Sequence, residues 1–272
     1  MSGHGHSPFV VLTRPVGKNE LLAQRLEQQG IEALLLPALA IQPLPLAPNG
    51  LPSPDEFDLV VFVSGNAVRF YLDGWTKGDA QSRWPRRTVA ATVGRSSASQ
   101  LMRSQAMEGA TIVHPSRHVP QDSESLWATL QPFLPTIKRV LIVRGQTGRE
   151  WLGSQFEAHG AQVTRLAVYE RVPAAWPSEQ LSALQHHVHR GRQGVYLLTS
   201  TESVSAFHAK MAEQGLQDHW STARFVVIHP RVARRLQQVL TTLPGQSLTD
   251  GISLCQPDDD AIFTQMHSLV SL

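Results

Sequence analysis

The chain has 272 residues, 42% of them apolar and only 17% charged, with a net charge of +2 when the histidines are neutral. That length accommodates two domains of ordinary size, and so small a positive excess, with Lys and Arg scattered, excludes a nucleic-acid reader built on a basic stripe. A single cysteine, Cys255, excludes an intramolecular disulfide and fits a reducing compartment. No apolar run approaches the ~20 residues of a membrane span, and the opening MSGHGHSPF lacks the basic and apolar regions of a signal peptide. A cytoplasmic protein without a membrane partner is expected.

In chain order, short β-branched runs alternate with helical patterns. A strand is predicted from Phe9 to Thr13, a helix from about Gly17 to Gln29 and a strand from Ile31 to Leu36. An extended, proline-bounded segment follows at 37–43, then a loop over 43–56 holding five of the eighteen prolines. Strand Leu59–Val63, helix Asn66–Leu72, strand Thr88–Val93, helix Ser96–Gln105, strand Thr111–His114 and helix Ser123–Gln131 come next. Val140–Val143 is too short for a helix and reads as a buried strand; a helix from Glu150 to Ala158 is stopped by Gly160. Gln162–Leu166 reads as a further strand. Its continuation to Pro173 is too long and too polar for a core strand and reads as a connector with Tyr169 on one face. Helix Ser178–Arg190, strand Val195–Thr199, helix Glu202–Gln214, strand Arg224–Ile228, helix Arg231–Leu240, a weak strand near Gln246–Leu248 and helix Asp259–Leu269 complete the chain. Such alternation predicts parallel sheets covered on both faces.

The pattern occurs twice. Val10–Pro15 matches Val140–Gly145, Val60–Ser64 with Val68 matches Tyr196–Ser200 with Val204, and Ala91–Gly94 with Ala98 and Leu101 matches Val227–His229 with Ala233 and Leu236, at offsets of 130 to 136. Three ordered matches indicate an internal duplication of two α/β halves. A simple duplication would put the domain boundary near Pro135. The twin proline-bounded segments favour two crossings instead, so that residues 1–36 with 174–272 form one domain and 44–167 the other, with 37–43 and 168–173 as paired connectors.

Ligands of open parallel sheets bind beyond the carboxyl ends of the strands. Arg14, Ser64, Gly94, Arg144, Ser200 and His229 stand at those ends. Most precede a helix whose first N–H groups attract anions, and Ser64 and Ser200 suit the N-cap. Plain capping is an even alternative for each residue alone; the repetition in both halves favours a ligand with many carboxylates. Backbone N–H groups at Gly65, Gly145 and Thr201 would add donors beside Thr199 and Ser200. No dinucleotide fingerprint, P-loop or Gly-x-Ser-x-Gly elbow is present. His186, His187 and His189 sit on a polar helix, are expected to face solvent and have no partner at ligand spacing, so no metal is expected. Asp258–Asp260 reads as the cap of the last helix.

Leu12-Thr13-Arg14-Pro15, Phe62 through Val68, Val93-Gly94 with Ala98, Val143-Arg144-Gly145, Val168-Tyr169-Glu170 and Thr199-Ser200 through Val204 together resemble the uroporphyrinogen-III synthase family. Each motif is weak and the ordered set is specific. The resemblance implies two similar parallel-sheet, flavodoxin- or Rossmann-like domains joined by a two-stranded connector, and a substrate, hydroxymethylbilane, carrying acetate and propionate on each pyrrole. It implies ring closure with loss of water and inversion of the last pyrrole, without cofactor or metal. A monomer is expected. Tyr169 is the residue expected to assist departure of the hydroxyl. One departure stands out: His229-Pro230-Arg231-Val232 replaces the glycine and small hydroxyl residues usual in the family, so His229 obstructs a backbone anion site while Arg231 offers a direct carboxylate contact. A non-catalytic tetrapyrrole- or small-anion-binding relative is the alternative that this loop supports.

Overall fold

A computed structural model of the chain describes residues 7–45, 50–77, 81–241 and 251–271. The elements run β1 (Phe9–Leu12), α1 (Glu20–Glu27), β2 (Ala33–Leu35), β3 (Leu39–Pro43), β4 (Leu59–Phe62), α2 (Gly65–Trp75), β5 (Val89–Thr92), α3 (Arg95–Met102), β6 (Ile112–Val113), α4 (Ser123–Leu130), β7 (Arg139–Gly145), α5 (Trp151–Ala158) and β8 (Gln162–Pro173). They continue α6 (Ser178–His189), β9 (Gly194–Leu198), α7 (Thr201–Glu213), α8 (Gln217–Thr222), β10 (Arg224–Val227), α9 (Pro230–Leu240), β11 (Ile252–Leu254) and α10 (Asp259–Val270).

The chain divides into two compact units, Met1–Ala40 with Val172–Leu272, and Ile41–Arg171. In the first, the sheet order is β2-β1-β9-β10-β11, all pairs parallel. In the second, β8-β7-β4-β5-β6 runs parallel, with β3 added beside β8. The two parallel orders correspond strand for strand, β1 to β7, β2 to β8, β9 to β4, β10 to β5 and β11 to β6. These pairs contain the residues whose repetition marks the duplication.

Hydrophobic runs become strands because both sheet faces are covered. In β1, Phe9 and Val11 join Tyr196, Leu198, Phe225 and Val227 on one face, while Val10 and Leu12 join Val195, Leu197 and Val226 on the other. In the second unit Val60, Phe62, Leu141 and Val143 face one core, and Leu59, Val61, Val140 and Ile142 the opposite one. Each such side chain contributes about 1.5–3 kcal/mol on full burial, and a one-residue slip would exchange the two faces.

Several expectations need correction. The run from Gln162 to Pro173 is one continuous strand, β8, whose first half pairs with β7. Leu44 N–H donates to Val168 O at 3.1 Å and Ala174 N–H to Ala38 O at 3.1 Å, bonds that step in opposite directions along the two segments. The strand near Gln246–Leu248 lies outside the described residues, and β11 follows it at Ile252–Leu254. A short helix, α8, was not expected; it is anchored by the fully buried Trp220. His187 is buried, stacked on Phe9 at 4.7 Å between centroids. It lies three residues after the buried Leu184 and so shares that helix face.

Candidate functional site

In the second unit the carboxyl end of the sheet opens into a cavity of about 220 Å³, lined among others by Ser64, Val93, Arg144, Glu150, Arg165 and Tyr169. Ser64 is the N-cap of α2; its extended backbone (φ −163°, ψ 164°) lets Oγ accept from Ala67 N–H at 3.2 Å. Tyr169 reaches the same hydroxyl, Oη to Oγ 3.1 Å.

A register shift aims the tyrosine. Arg144 pairs with Ala167, but the next residue, Gly145, pairs with Tyr169, leaving Val168 as an extra residue on β8. Such a bulge turns the following side chain, and here Val168 and Tyr169 are consecutively buried. Gln146 N–H closes the turn on Tyr169 O at 2.8 Å. Gly145 is required beneath the ring, because a Cβ there would stand 2.8 Å from Tyr169 Cζ. Phe70 stacks on the tyrosine at 6.0 Å.

Arg144 is buried and its guanidinium pairs with Glu150 through Nη1, while Nε donates to Gly145 O at 3.2 Å. Arg165 Nε donates to the other oxygen of Glu150 at 2.8 Å, and its Nη1 to Glu157 at 2.8 Å. The Arg144 and Arg165 hydrogen bonds hold the Glu150 carboxyl below the usual carboxylate range. Gly65 is crowded by α3, where Gln100 Oε1 would stand 2.9 Å from a Cβ, whereas Gly94, the N-cap of α3, faces open space. Arg95 N–H, the first donor of α3, is taken by Gln121 Oε1 at 3.0 Å.

In the first unit, Ser200 caps α7 with a reciprocal pair: Ser203 N–H donates to Ser200 Oγ and Ser200 N–H to Ser203 Oγ, both at 3.0 Å. Thr199 is half-buried beside it and Thr201 exposed. Arg14 donates through Nη1 to Asp259 at 2.6 Å and through Nε to Asn19 Oδ1 at 3.1 Å; its Nη2 is buried without a hydrogen-bond partner among the described residues. His229 is itself the N-cap of α9, its Nδ1 accepting from Arg231 N–H at 3.1 Å. The imidazole thus does at α9 what the serine hydroxyls do at α2 and α7. His229 and Pro230 border an open cavity of about 550 Å³ with Leu254 and Cys255; Arg231 is exposed and outside its lining.

The family model for uroporphyrinogen-III synthase HemD matches residues 20–241. This chain belongs to the uroporphyrinogen-III synthase family. The family's Escherichia coli (strain K12) member is 29% identical over 237 residues, covering 85% of this chain and 91% of its own. The Salmonella typhimurium enzyme is 30% identical over 239 residues, with the same coverage. Among solved structures, uroporphyrinogen-III synthetase from Helicobacter pylori superposes with a TM-score of 0.57 at 16% identity, covering 96% of this chain and 99% of that one. A mutant uroporphyrinogen III synthase from Thermus thermophilus gives 0.53 at 14% identity, covering 97% and 98%. At such identities these two likenesses speak for the α/β fold.

Within this uroporphyrinogen-III synthase family member, Ser64, Arg144 and Tyr169 line one cavity and Gly145 lies directly beneath the tyrosine ring. Gly65 and Gly94 flank α3 without lining the cavity. Sequence reasoning missed Arg165, Arg171 and the bridging role of Glu150. The available signal was the even spacing of Arg165, Tyr169 and Arg171, all of which line the cavity, but the stretch beyond Leu166 read as a connector and not as a cavity wall.

Proposed function

We propose that this chain catalyses closure of hydroxymethylbilane to uroporphyrinogen III, with loss of water and inversion of the last pyrrole, in tetrapyrrole biosynthesis. The observation that carries the reading is the Tyr169–Ser64 pair at a cavity bordered by Arg144, Arg165 and Arg171. The guanidiniums supply charge-assisted donors for substrate carboxylates, and holding the flexible chain in one closing conformation lowers the entropic part of the barrier. A hydrogen-bond relay fits the tyrosine's role. Ala67 N–H donates to Ser64 Oγ, so the serine proton is free to point at Tyr169 Oη, and the phenolic O–H then points to the departing hydroxyl. The proton moves from Oη to that oxygen as the C–O bond breaks, and water leaves.

In this reading Arg14, Ser200, Thr201, His229 and Arg231 act on carboxylates as well, with His229 contributing less because its Nδ1 is engaged by its own helix. The enzyme comprises two α/β domains, residues 1–36 with 174–272 and residues 44–167, joined by 37–43 and 168–173. The change of compact unit at Ala40/Ile41 and Arg171/Val172 supports that division. It works as a cytoplasmic monomer without cofactor; among the described residues no helix is long and apolar enough to cross a membrane.

The test is incubation with hydroxymethylbilane and separation of the product isomers. The unaltered protein yields the type III isomer. Tyr169→Phe folds normally and slows that product by about tenfold or more, short of the full ~10²–10⁴ of a strong general acid because electron-rich pyrroles already help expel the hydroxyl, while the unrearranged type I isomer rises. Type I product alone from the unaltered protein would point to the non-catalytic binding relative. A wild-type rate and isomer ratio in Tyr169→Phe would remove the tyrosine from the mechanism.

A further inference from the structure

The cavity of the 41–171 unit already contains a carboxylate among its arginines. Glu150 occupies the N-cap position of α5 with its side chain 58% exposed, and bridges Arg144 Nη1 and Arg165 Nε with its two oxygens. The guanidiniums have seats that do not depend on this bridge. Arg144 lies over Gly148, where a Cβ would be 3.0 Å from Nη2, and also donates to Gly145 O. Arg165 lies over Gly153, where a Cβ would be 2.6 Å from Nη2, and is held from its far side by Glu157. With Glu150 turned away, both cations would still present donors to the cavity.

We propose that Arg144 and Arg165 form a binding site for one propionate arm of the substrate, and that Glu150 fills this site in the free protein until the substrate displaces it. The proposal rests on the hydroxymethylbilane reading above. A glutamate side chain ends in –CH2–CH2–COO⁻, the same group as a propionate on a pyrrole, whereas the acetate arm is one methylene shorter. The exchange replaces one carboxylate by another, so Arg144, whose side chain is only 10% exposed, is never left as an uncompensated buried charge. Glu150 is already more than half exposed while it bridges, so its carboxylate keeps much of its hydration in the pair, and the partly exposed Arg165 half of the bridge is a weak tether. The internal carboxylate also imposes selectivity, since a neutral arm cannot take its place.

The experiment uses Glu150→Gln and Arg165→Ala in the full chain, each assayed below the onset of its own melting; Glu150→Gln is expected to melt lower, because Arg144 loses a counter-charge. With hydroxymethylbilane, Glu150→Gln lowers KM by about twofold to fivefold, the scale of a weak exposed pair, leaves kcat near that of the unaltered protein, and loses its advantage at high salt. Arg165→Ala raises KM by about tenfold, as for a lost charge-assisted bond. In parallel, glutarate is titrated as a probe while thermal stability is followed; Glu150→Gln gains more stabilisation than the unaltered protein, and Arg165→Ala gains none. An unchanged or raised KM in Glu150→Gln, with no gain from glutarate, overturns the proposal and leaves Glu150 as a strut that positions the arginines. If the unaltered protein forms no type III isomer while the glutarate pattern holds, the functional reading fails and the carboxylate site stands.

Discussion

Ser64 and Ser200 cap corresponding helices in the two units, yet only Ser64 Oγ touches a tyrosine, at 3.1 Å. That contact is what sets Ser64 apart from a plain cap. Replacing either serine by alanine removes an N-cap and costs about 0.5–2 kcal/mol of stability, visible as similar shifts in denaturant midpoint. Only Ser64→Ala is expected also to move product from the type III to the type I isomer. Equal isomer ratios in the two variants would reduce Ser64 to a cap. Gly145→Ala tests the same pair from below. Its backbone is not in the left-handed region, so the effect comes from the Cβ, 2.8 Å from Tyr169 Cζ in a ring that is 3% exposed. Overpacking should cost about 1–3 kcal/mol and displace the hydroxyl from Ser64, lowering type III formation along with the melting temperature.

Among the elements, α5 and β8 carry the site, and each departs from its ideal for a physical reason. β8 admits an extra residue where Arg144/Gly145 meet Ala167–Tyr169, and that bulge lets a strand expose Arg165 while burying Tyr169. α5 has Gly153 in its first turns, although glycine weakens a helix. The space it leaves is filled by the Arg165 guanidinium. Gly153→Ala should therefore raise helix stability by up to about 1 kcal/mol, because the atom it meets is the flexible end of a side chain. It should also push Arg165 off its seat and raise KM for hydroxymethylbilane severalfold. A lowered melting temperature with unchanged KM would contradict this assignment of the glycine.

For the molecule as a whole, acid sensitivity is expected to arise in the first unit. Burial lowers His219 from its ordinary value of 6.5 to about 4, and burial likewise lowers His187 and His208. Burial raises the pKa of Tyr196, whose hydroxyl shares a hydrogen bond with His219 Nε2, 2.9 Å away. Protonating His219 buries a charge in this aromatic cluster. With folded values below the unfolded one, the unfolded state binds more protons, so stability is complete above about pH 6.5 and falls as the pH drops toward about 4. Each pKa unit corresponds to about 1.4 kcal/mol, so His219 accounts for about 2–3 kcal/mol across that window. Melting curves of His219→Gln should show a flatter dependence over it. Unchanged acid sensitivity would move the effect to His187 and His208.

The buried strands, the parallel α/β class, the duplication and the capping serines were legible in the sequence, because burial on two faces demands continuous apolar runs and an open helix start demands a nearby acceptor. The aspartate cap of α10 was legible for the same reason: Asp258 Oδ1 accepts from Ala261 N–H at 2.9 Å. Tertiary structure alone decided which polar side chains share a place. Arg14 meets Asp259 across 245 positions of the chain, and Ser64 meets Tyr169 across 105. No local periodicity encodes such distances. The bulge that aims Tyr169 depends on the register between β7 and β8, which is set by the partner strand. The burial of His187 follows from Phe9 arriving on a neighbouring strand, and the imidazole cap at His229 from a side chain folding back onto its own helix. Local preference selected the elements; packing between segments distant in the chain selected which polar side chains meet.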